Sequence, residues 1–129
     1  MKITELLGEA TEYDKKQSVE RKKPKSWLKT VSAFANTGGG VLIFGVADND
    51  EIEGIEIIKE ASEFVSQKIK ERIDPLPEVF MELHKLENDK EILSVKILAG
   101  EETPYYYNGD GTTEAFIRIG NETVTASAS

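Results

Sequence analysis

The fold of this chain is decided by residues 24–47, which read P-K-S-W-L-K-T-V-S-A-F-A-N-T-G-G-G-V-L-I-F-G-V-A. The proline suits the first turn of a helix, because its φ is fixed and its missing N–H has no partner to lose there. Apolar side chains follow at helical spacing, at Trp27, Leu28, Val31, Phe34 and Ala35. The stretch therefore predicts an amphipathic helix. Asn36-Thr37-Gly38 should end it, with Gly38 in the left-handed conformation.

A nearly unbroken apolar run at residues 41–47 follows the helix. Continuous apolarity is typical of a strand covered on both faces, so this run predicts the middle of a sheet. A phosphate-binding loop would need the reverse order, in which a strand feeds a glycine-rich loop that opens a helix. Gly38-Gly39-Gly40 are therefore predicted to let the helix turn tightly into the strand, and no ATP site of that kind is expected.

The segments on either side complete a single domain over residues 1–129. Residues 1–8 predict a short helical lead-in, and Asp48-Asn49-Asp50 predict a turn. A second amphipathic helix is expected at residues 58–73, before Asp74-Pro75-Leu76-Pro77. Strands are predicted at residues 11–16, 52–55 (the return of a hairpin), 78–86, 92–98 and 114–120. The fold class is thus α/β (α+β), a mixed sheet of about five to six strands with two main helices.

Composition narrows the class of protein. Of the 129 residues, 39% are hydrophobic and 31% charged, which is ordinary for a globular domain. The absence of cysteine excludes disulfides and thiol chemistry. No signal peptide or bilayer-spanning run is visible, so we expect a cytoplasmic protein without membrane contact. The short tail at residues 125–129 suggests the N-terminal part of a longer native protein.

Charge is unevenly distributed along the chain. The net charge is −8, yet residues 1–30 hold eight basic and five acidic side chains, so the rest carries −11. A basic cluster stands at the start of the Trp27 helix, comprising Arg21, Lys22, Lys23, Lys25 and Lys29. With helix N–H groups it could bind phosphodiesters, or it could be solvated or neutralised by carboxylates such as Glu20. Arg118, on a late strand, is expected to reach solvent or a ligand. Trp27 is expected in the core, although an exposed indole could stack on a base.

Two groups of acids allow a different chemistry. Glu9, Glu12 and Asp14 lie near the first predicted strand, and Asp48 and Asp50 follow the central one. Carboxylates at the ends of neighbouring strands can hold a divalent metal that activates water, although acidic turns are also common for local hydrogen bonding. The single histidine, His84, has no serine or cysteine spaced for nucleophilic catalysis, so we expect it to be structural or on the surface.

From Ser32 to Asp48 the chain resembles the Schlafen-type AlbA-like domain, a DNA-binding domain family in bacteria. The matching motif residues are Ala33, Phe34, Ala35, Asn36, Gly38, Gly39 and Gly45. The likeness continues through Gly54-Ile55, the Pro104-Tyr105 step and the F-I-R-I-G segment around Arg118. The family opens with G-E-S and E-F-K, where this chain has Gly8-Glu9-Ala10 and Asp14-Lys15-Lys16. A rival alignment places Glu20-Arg21-Lys22 on E-F-K.

The resemblance implies a mixed α/β fold and a nucleic-acid-facing role. Similar bacterial domains form the N-terminal part of transcriptional regulators and helicase-like proteins. Some animal relatives cleave RNA with three acids, which would correspond here to Glu9, Asp14 and Asp48, with aspartate in place of the family's second glutamate.

Three hypotheses follow from the sequence. The first is a non-catalytic nucleic-acid-binding domain, for DNA, in a transcriptional regulator or helicase-related protein, without a cofactor. Its phosphate contacts would be Arg21, Lys22, Lys23, Lys25, Lys29 and Arg118. The second is an endonuclease that uses Mg²⁺ or Mn²⁺ at Glu9, Asp14 and Asp48. The third is a protein-interaction or homo-oligomerisation domain, favoured by the acidic remainder of the chain.

Overall fold

The structure is a computed structural model, and it describes residues 12–126. The elements in chain order are β1 (Tyr13–Lys16), α1 (Lys25–Asn36), β2 (Gly40–Phe44), α2 (Ile58–Arg72), β3 (Ile73–Asp74), β4 (Val79–Lys85), β5 (Glu91–Ile97), β6 (Tyr106–Gly109), β7 (Thr112–Ile119) and β8 (Glu122–Thr125). The predicted α+β class with two main helices is confirmed. The predicted helix at residues 1–8 lies outside the described residues.

The strands form two four-stranded sheets. The first has the order β1-β2-β5-β4, in which β1 and β2 are parallel and the other pairs antiparallel. This sheet is mixed and has β2 inside it, as predicted, but the strands divide into two sheets of four where one sheet of about five to six strands was expected. The second sheet, β3-β6-β7-β8, is wholly antiparallel. The predicted strand at residues 52–55 is wrong: only a single bridge joins Val46 to Ile52, because β1 and β5 already occupy both edges of β2.

Helix α1 lies between the two sheets and is buried on nearly every side. It packs against β7 and β6 of the second sheet and against β2 of the first. Trp27 is fully buried, so the possibility that it stacks on a base is wrong. Its indole N–H donates to the Val19 carbonyl at 2.6 Å, and its ring meets Phe44 edge to face at 5.4 Å. Because apolar residues surround α1, it is the central element of the core.

The glycines after α1 are structural, as predicted, but the left-handed residue is Gly39 and not Gly38. Gly39 has φ +78°, and its N–H donates to the Phe34 carbonyl at 2.8 Å. A side chain on Gly40 would lie 2.6 Å from the Phe34 ring. The prediction for Gly38 was wrong because sequence alone does not distinguish which of three successive glycines takes the positive φ. The tight turn lets β2 start directly beneath the end of α1.

Two polar side chains fasten α1 to the second sheet. The Asn36 amide nitrogen donates to the carbonyls of Tyr105 at 2.8 Å and Phe116 at 2.9 Å, and its oxygen accepts the Tyr105 N–H at 2.6 Å. Ser32, fully buried, donates to the Tyr105 carbonyl at 2.7 Å and accepts the Phe116 N–H at 3.2 Å. These bonds satisfy main-chain groups of Tyr105 and Phe116 that would otherwise be buried unpaired. The S-A-F-A-N motif therefore joins α1 to the second sheet.

Candidate nucleic-acid interface

A groove of about 790 Å³ opens beside the N-terminal end of α1. The loop before α1, one side of α2 and the hairpin of β6 and β7 also contribute to it. It is lined by the basic residues Arg21, Lys22, Lys23, Lys25, Lys29, Lys68 and Arg72, the acidic residues Asp110 and Glu114, and also Pro24, Ser26, Phe64, Phe116 and Thr125. We call this the basic groove. It brings together five of the six cations predicted to contact phosphate.

Three of these cations are available to a ligand. Lys22 and Lys23 are exposed on the loop before α1, and Lys29 lies one turn beyond Lys25 on the helix. Within residues 12–126, none of the three forms an ion pair or a side-chain hydrogen bond. No described carboxylate therefore neutralises their charge, which can attract phosphate.

Two other cations of the groove form ion pairs with carboxylates of the β6–β7 hairpin. Lys25 Nζ donates to Glu114 Oε1 at 2.8 Å, and this bond raises the pKa of Lys25 and lowers the pKa of Glu114. Arg72 Nη1 lies 3.7 Å from Asp110 Oδ1 and donates to the Tyr107 hydroxyl, which raises the pKa of Arg72. Burial raises the pKa of Tyr107, whose hydroxyl donates to Asp110 at 2.8 Å.

The remaining two cations share an aromatic ring. The Arg21 guanidinium lies 5.0 Å from the centre of the Phe64 ring, and Lys68 Nζ lies 5.6 Å from it. Arg21 also meets Glu60 at 3.3 Å, and Lys68 meets Glu71 at 3.3 Å. Exposed ion pairs of this kind contribute little to stability, so a phosphate can displace them at low cost.

Three of the first four main-chain N–H groups of α1 are not free, in contrast to the predicted anion site. Ser26 N–H donates to the Lys23 carbonyl at 3.0 Å, and Trp27 and Leu28 both donate to the Pro24 carbonyl. The chain enters the helix through a tight turn around Pro24, and that turn satisfies these donors internally. Anion binding in the basic groove therefore depends on side chains.

Arg118 lies away from the other predicted cations, near the C-terminal end of α1. Its guanidinium stacks on Phe34 at 5.1 Å, and its Nη1 donates to Thr123 Oγ1 at 2.8 Å. It therefore points towards α1 and is half-buried on the face of β7 that also carries Phe116, outside the basic groove. A second pocket of about 540 Å³ contains it, lined by Glu12, Tyr13, Asp14, Lys15, Asp48, Arg118 and Asn121. We call this the mixed-charge pocket.

Two of the five charged residues that line the mixed-charge pocket, Lys15 and Asp14, form ion pairs with neighbouring groups. Lys15 Nζ meets Asp50 Oδ1 at 2.5 Å and donates to the Asp48 carbonyl at 2.9 Å, and the Asp50 bond raises the pKa of Lys15. Lys16 lies 3.4 Å from Asp14. The lining thus holds two cations and three carboxylates, so this pocket has no excess of positive charge.

The structure brings two of the three predicted nuclease acids together. Asp14 and Asp48 line the mixed-charge pocket, whereas Glu9 lies outside the described residues. Within residues 12–126 no group of three or more carboxylate or histidine side chains is placed to hold a metal ion. Asp14 and Asp48 alone therefore do not complete the predicted set of three acids, and the nuclease hypothesis stays a prediction. His84 bonds Ser94 across the first sheet at 2.9 Å.

Lys68, Arg72 and Phe64 are groove residues that the sequence reasoning missed. They recur at every fourth position of α2, so they share one face of that helix. This spacing was visible in the sequence, but nothing in it shows which face of α2 turns towards the start of α1.

Neither helix of the described part of the chain has the length and apolar character needed to span a bilayer.

Comparisons with known proteins agree with this architecture. A family model described as Schlafen, AlbA_2 matches residues 9–127. The crystal structure of the DIP2311 protein from Corynebacterium diphtheriae is similar over 90% of this chain, with 22% identity and a TM-score of 0.64. The chain spans only 25% of that protein.

A second solved structure is similar over nearly its whole length. It is the N-terminal domain of a RecG-related protein from Nitrosomonas europaea, matched over 93% of this chain and 86% of that one. The sequence identity is 20% and the TM-score 0.62, so the likeness concerns the fold. No curated protein sequence matches the chain.

Proposed function

Because the chain belongs to the Schlafen, AlbA_2 family, we propose that it is a nucleic-acid-binding domain whose basic groove holds phosphates of the ligand. One observation carries the proposal: seven basic side chains from a loop and two helices line a single groove on a chain of net charge −8. Such clustering against the overall charge is typical of a surface that binds a polyanion.

The physical basis is the release of counterions from the ligand. Lys22, Lys23 and Lys29 can each neutralise one phosphate, because no carboxylate among residues 12–126 pairs with them. Three such contacts give a logarithmic salt slope of about −2 to −3, so affinity should fall roughly thirtyfold between 50 and 200 mM salt. The groove does not need a cofactor for this role.

We propose DNA as the ligand and a larger protein as the setting. The support is the similarity in fold to the N-terminal domain of a protein described as related to the ATP-dependent DNA helicase RecG. In this setting the domain would bring a helicase or a transcriptional regulator to its nucleic acid in the cytoplasm. It would itself perform no chemistry.

Fluorescence anisotropy with labelled oligonucleotides at several salt concentrations tests the proposal. The informative variant replaces Lys22, Lys23 and Lys29 with glutamate. Its matched control replaces Lys70, Lys85 and Lys96 with glutamate, because these exposed lysines lie outside the groove and give the same change in net charge. We expect the first variant to lose binding at least tenfold more than the control. Equal loss in both would show that only overall charge matters, and absence of binding at 50 mM salt would refute the proposal.

A further inference from the structure

We propose that the basic groove accepts a single nucleic-acid strand in preference to a duplex. This inference rests on the proposed function of the same groove and adds the class of its ligand. Three features of the described residues carry it: where the cations stand, which aromatic ring they cover, and where the two carboxylates lie.

The cations line a concavity instead of a projection. Lys25 and Lys29 are one helical turn apart on α1, and Lys68 and Arg72 are one turn apart on α2. Each pair is therefore spaced by about 6 Å along its helix. Proteins that read a duplex insert a helix or ribbon into grooves about 12 Å or 6 Å wide, and so require a protruding element. A concave groove of about 790 Å³, lined by cations from two helices, instead surrounds a few nucleotides of one strand.

Phe64 gives the groove an aromatic surface next to its charges. The ring is half-buried on α2. The cations of Arg21 and Lys68 lie over it, at 5.0 and 5.6 Å from its centre. Both cations have flexible side chains that can transfer to a phosphate. That transfer uncovers Phe64 for stacking on a base, and bases present a free π-face only where the strand is unpaired. Charged grooves with aromatic rings are the usual means of binding single strands.

The two carboxylates help to define the route of the strand. Asp110 and Glu114 both lie on the β6–β7 hairpin and are paired with Arg72 and Lys25, so this side of the groove is close to neutral and attracts phosphate less than the loop before α1 does. Lys22 and Lys23 stand on the loop before α1 and Lys29 on α1 itself, and none of them pairs with a carboxylate of residues 12–126. The phosphates therefore run along the loop and α1, while the bases face Phe64 and the hairpin. A duplex would expose phosphates to both sides at once and would meet the carboxylates.

The test compares a 12-nucleotide single strand with the blunt duplex of the same sequence, by anisotropy at 50 mM salt with the whole 129-residue chain. We expect the single strand to bind at least tenfold more tightly. Phe64→Leu retains apolar packing but removes the ring, and it should weaken single-strand binding about fivefold while leaving duplex binding unchanged. Phe80→Leu is the control, because Phe80 is an exposed phenylalanine on β4, outside the groove.

The outcomes separate the inference from the function on which it rests. Duplex binding equal to or tighter than single-strand binding would overturn the inference and leave the proposed function standing. Single-strand binding that is insensitive to Phe64→Leu would likewise overturn it, since the aromatic ring would then have no part in recognition. No binding of either ligand would overturn the proposed function itself. Urea unfolding of both variants establishes that any loss comes from a folded protein.

Discussion

The basic groove and the mixed-charge pocket lie towards opposite ends of the same helix, and they differ in the balance of their positive and negative charges. Helix α1 has 12 residues, which correspond to about 18 Å. At its N-terminal end, Lys22, Lys23 and Lys29 have no carboxylate partner among the described residues. At its C-terminal end, Lys15 is held by Asp50, and Arg118 stacks on Phe34. The basic groove is lined by seven cations and two carboxylates, and the mixed-charge pocket by two cations and three carboxylates, so the balance of charge distinguishes the two surfaces.

Asn36→Ala should have the largest effect, because it removes the hydrogen bonds that hold α1, which borders both regions, against the second sheet. Three hydrogen bonds from this amide to Tyr105 and Phe116 would be lost, which leaves main-chain groups of the second sheet without partners. We expect the free energy of unfolding to fall by about 3 kcal/mol. Urea unfolding measures this. Asn121→Ala is the control and should change stability by less than about 0.5 kcal/mol, since Asn121 is exposed.

Lys29→Gln and Arg118→Gln compare the two ends of α1 directly. Each removes one positive charge, but only Lys29 lies in the basic groove. We expect Lys29→Gln to weaken oligonucleotide binding about fivefold and to reduce the salt slope by about one. Arg118→Gln should change affinity less than about twofold, because Arg118 lies outside the groove lining and its guanidinium stacks on Phe34. Equal effects of the two variants in anisotropy would contradict the distinction between the regions.

Glu114→Gln should make the groove bind more tightly. The change retains the shape of the side chain, removes a negative charge and releases Lys25 from its 2.8 Å ion pair. We expect affinity for an oligonucleotide to rise about threefold and the salt slope to steepen by about one. Asp50→Asn provides the matched control, because it releases Lys15 in the mixed-charge pocket and should leave affinity unchanged. Tighter binding by the control would show that overall charge, and not the groove, is responsible.

The pKa of Glu114 gives the smallest and most local test. Its hydrogen bond from Lys25 lowers the pKa below the usual 4.5, so the folded protein favours the ionised form. The pair therefore contributes stability above pH 4.5, and the contribution is lost as pH falls through the lower folded pKa. A ¹³C NMR titration of the carboxyl carbon should show a midpoint below 4.5 in the original chain. Lys25→Gln should return the midpoint to the usual value, and a midpoint that does not move would mean that the ion pair does not form in solution.

The central helix and strand were predictable because their sequence patterns are determined locally. Pro24, the helical spacing of apolar residues and the glycines before β2 each restrict the main chain over a few residues. Strand β3 has only two residues, and no periodic pattern can identify so short an element. Sequence alone also does not show which strand edges are free. Residues 52–55 have an apolar pattern that resembles a strand, but both edges of β2 are already paired.

The candidate site was only partly predictable because it joins distant parts of the chain. The sequence identified the five cations at the start of α1, which are neighbours in the chain. It could not identify Lys68 and Arg72 as members of the same groove, because their position depends on how α2 packs. The pairing of Lys25 with Glu114 joins residues 89 positions apart, and it likewise depends on tertiary structure.

An NMR titration of the ¹⁵N-labelled chain with a short single-stranded oligonucleotide tests the central claim most directly. We predict that amide shifts concentrate at residues 21–29 and 64–72, with smaller changes in the β6–β7 hairpin. Amides around Asp14, Asp48 and Arg118 should scarcely move. Shifts centred on the mixed-charge pocket, with the loop before α1 unaffected, would contradict the assignment of binding to the basic groove.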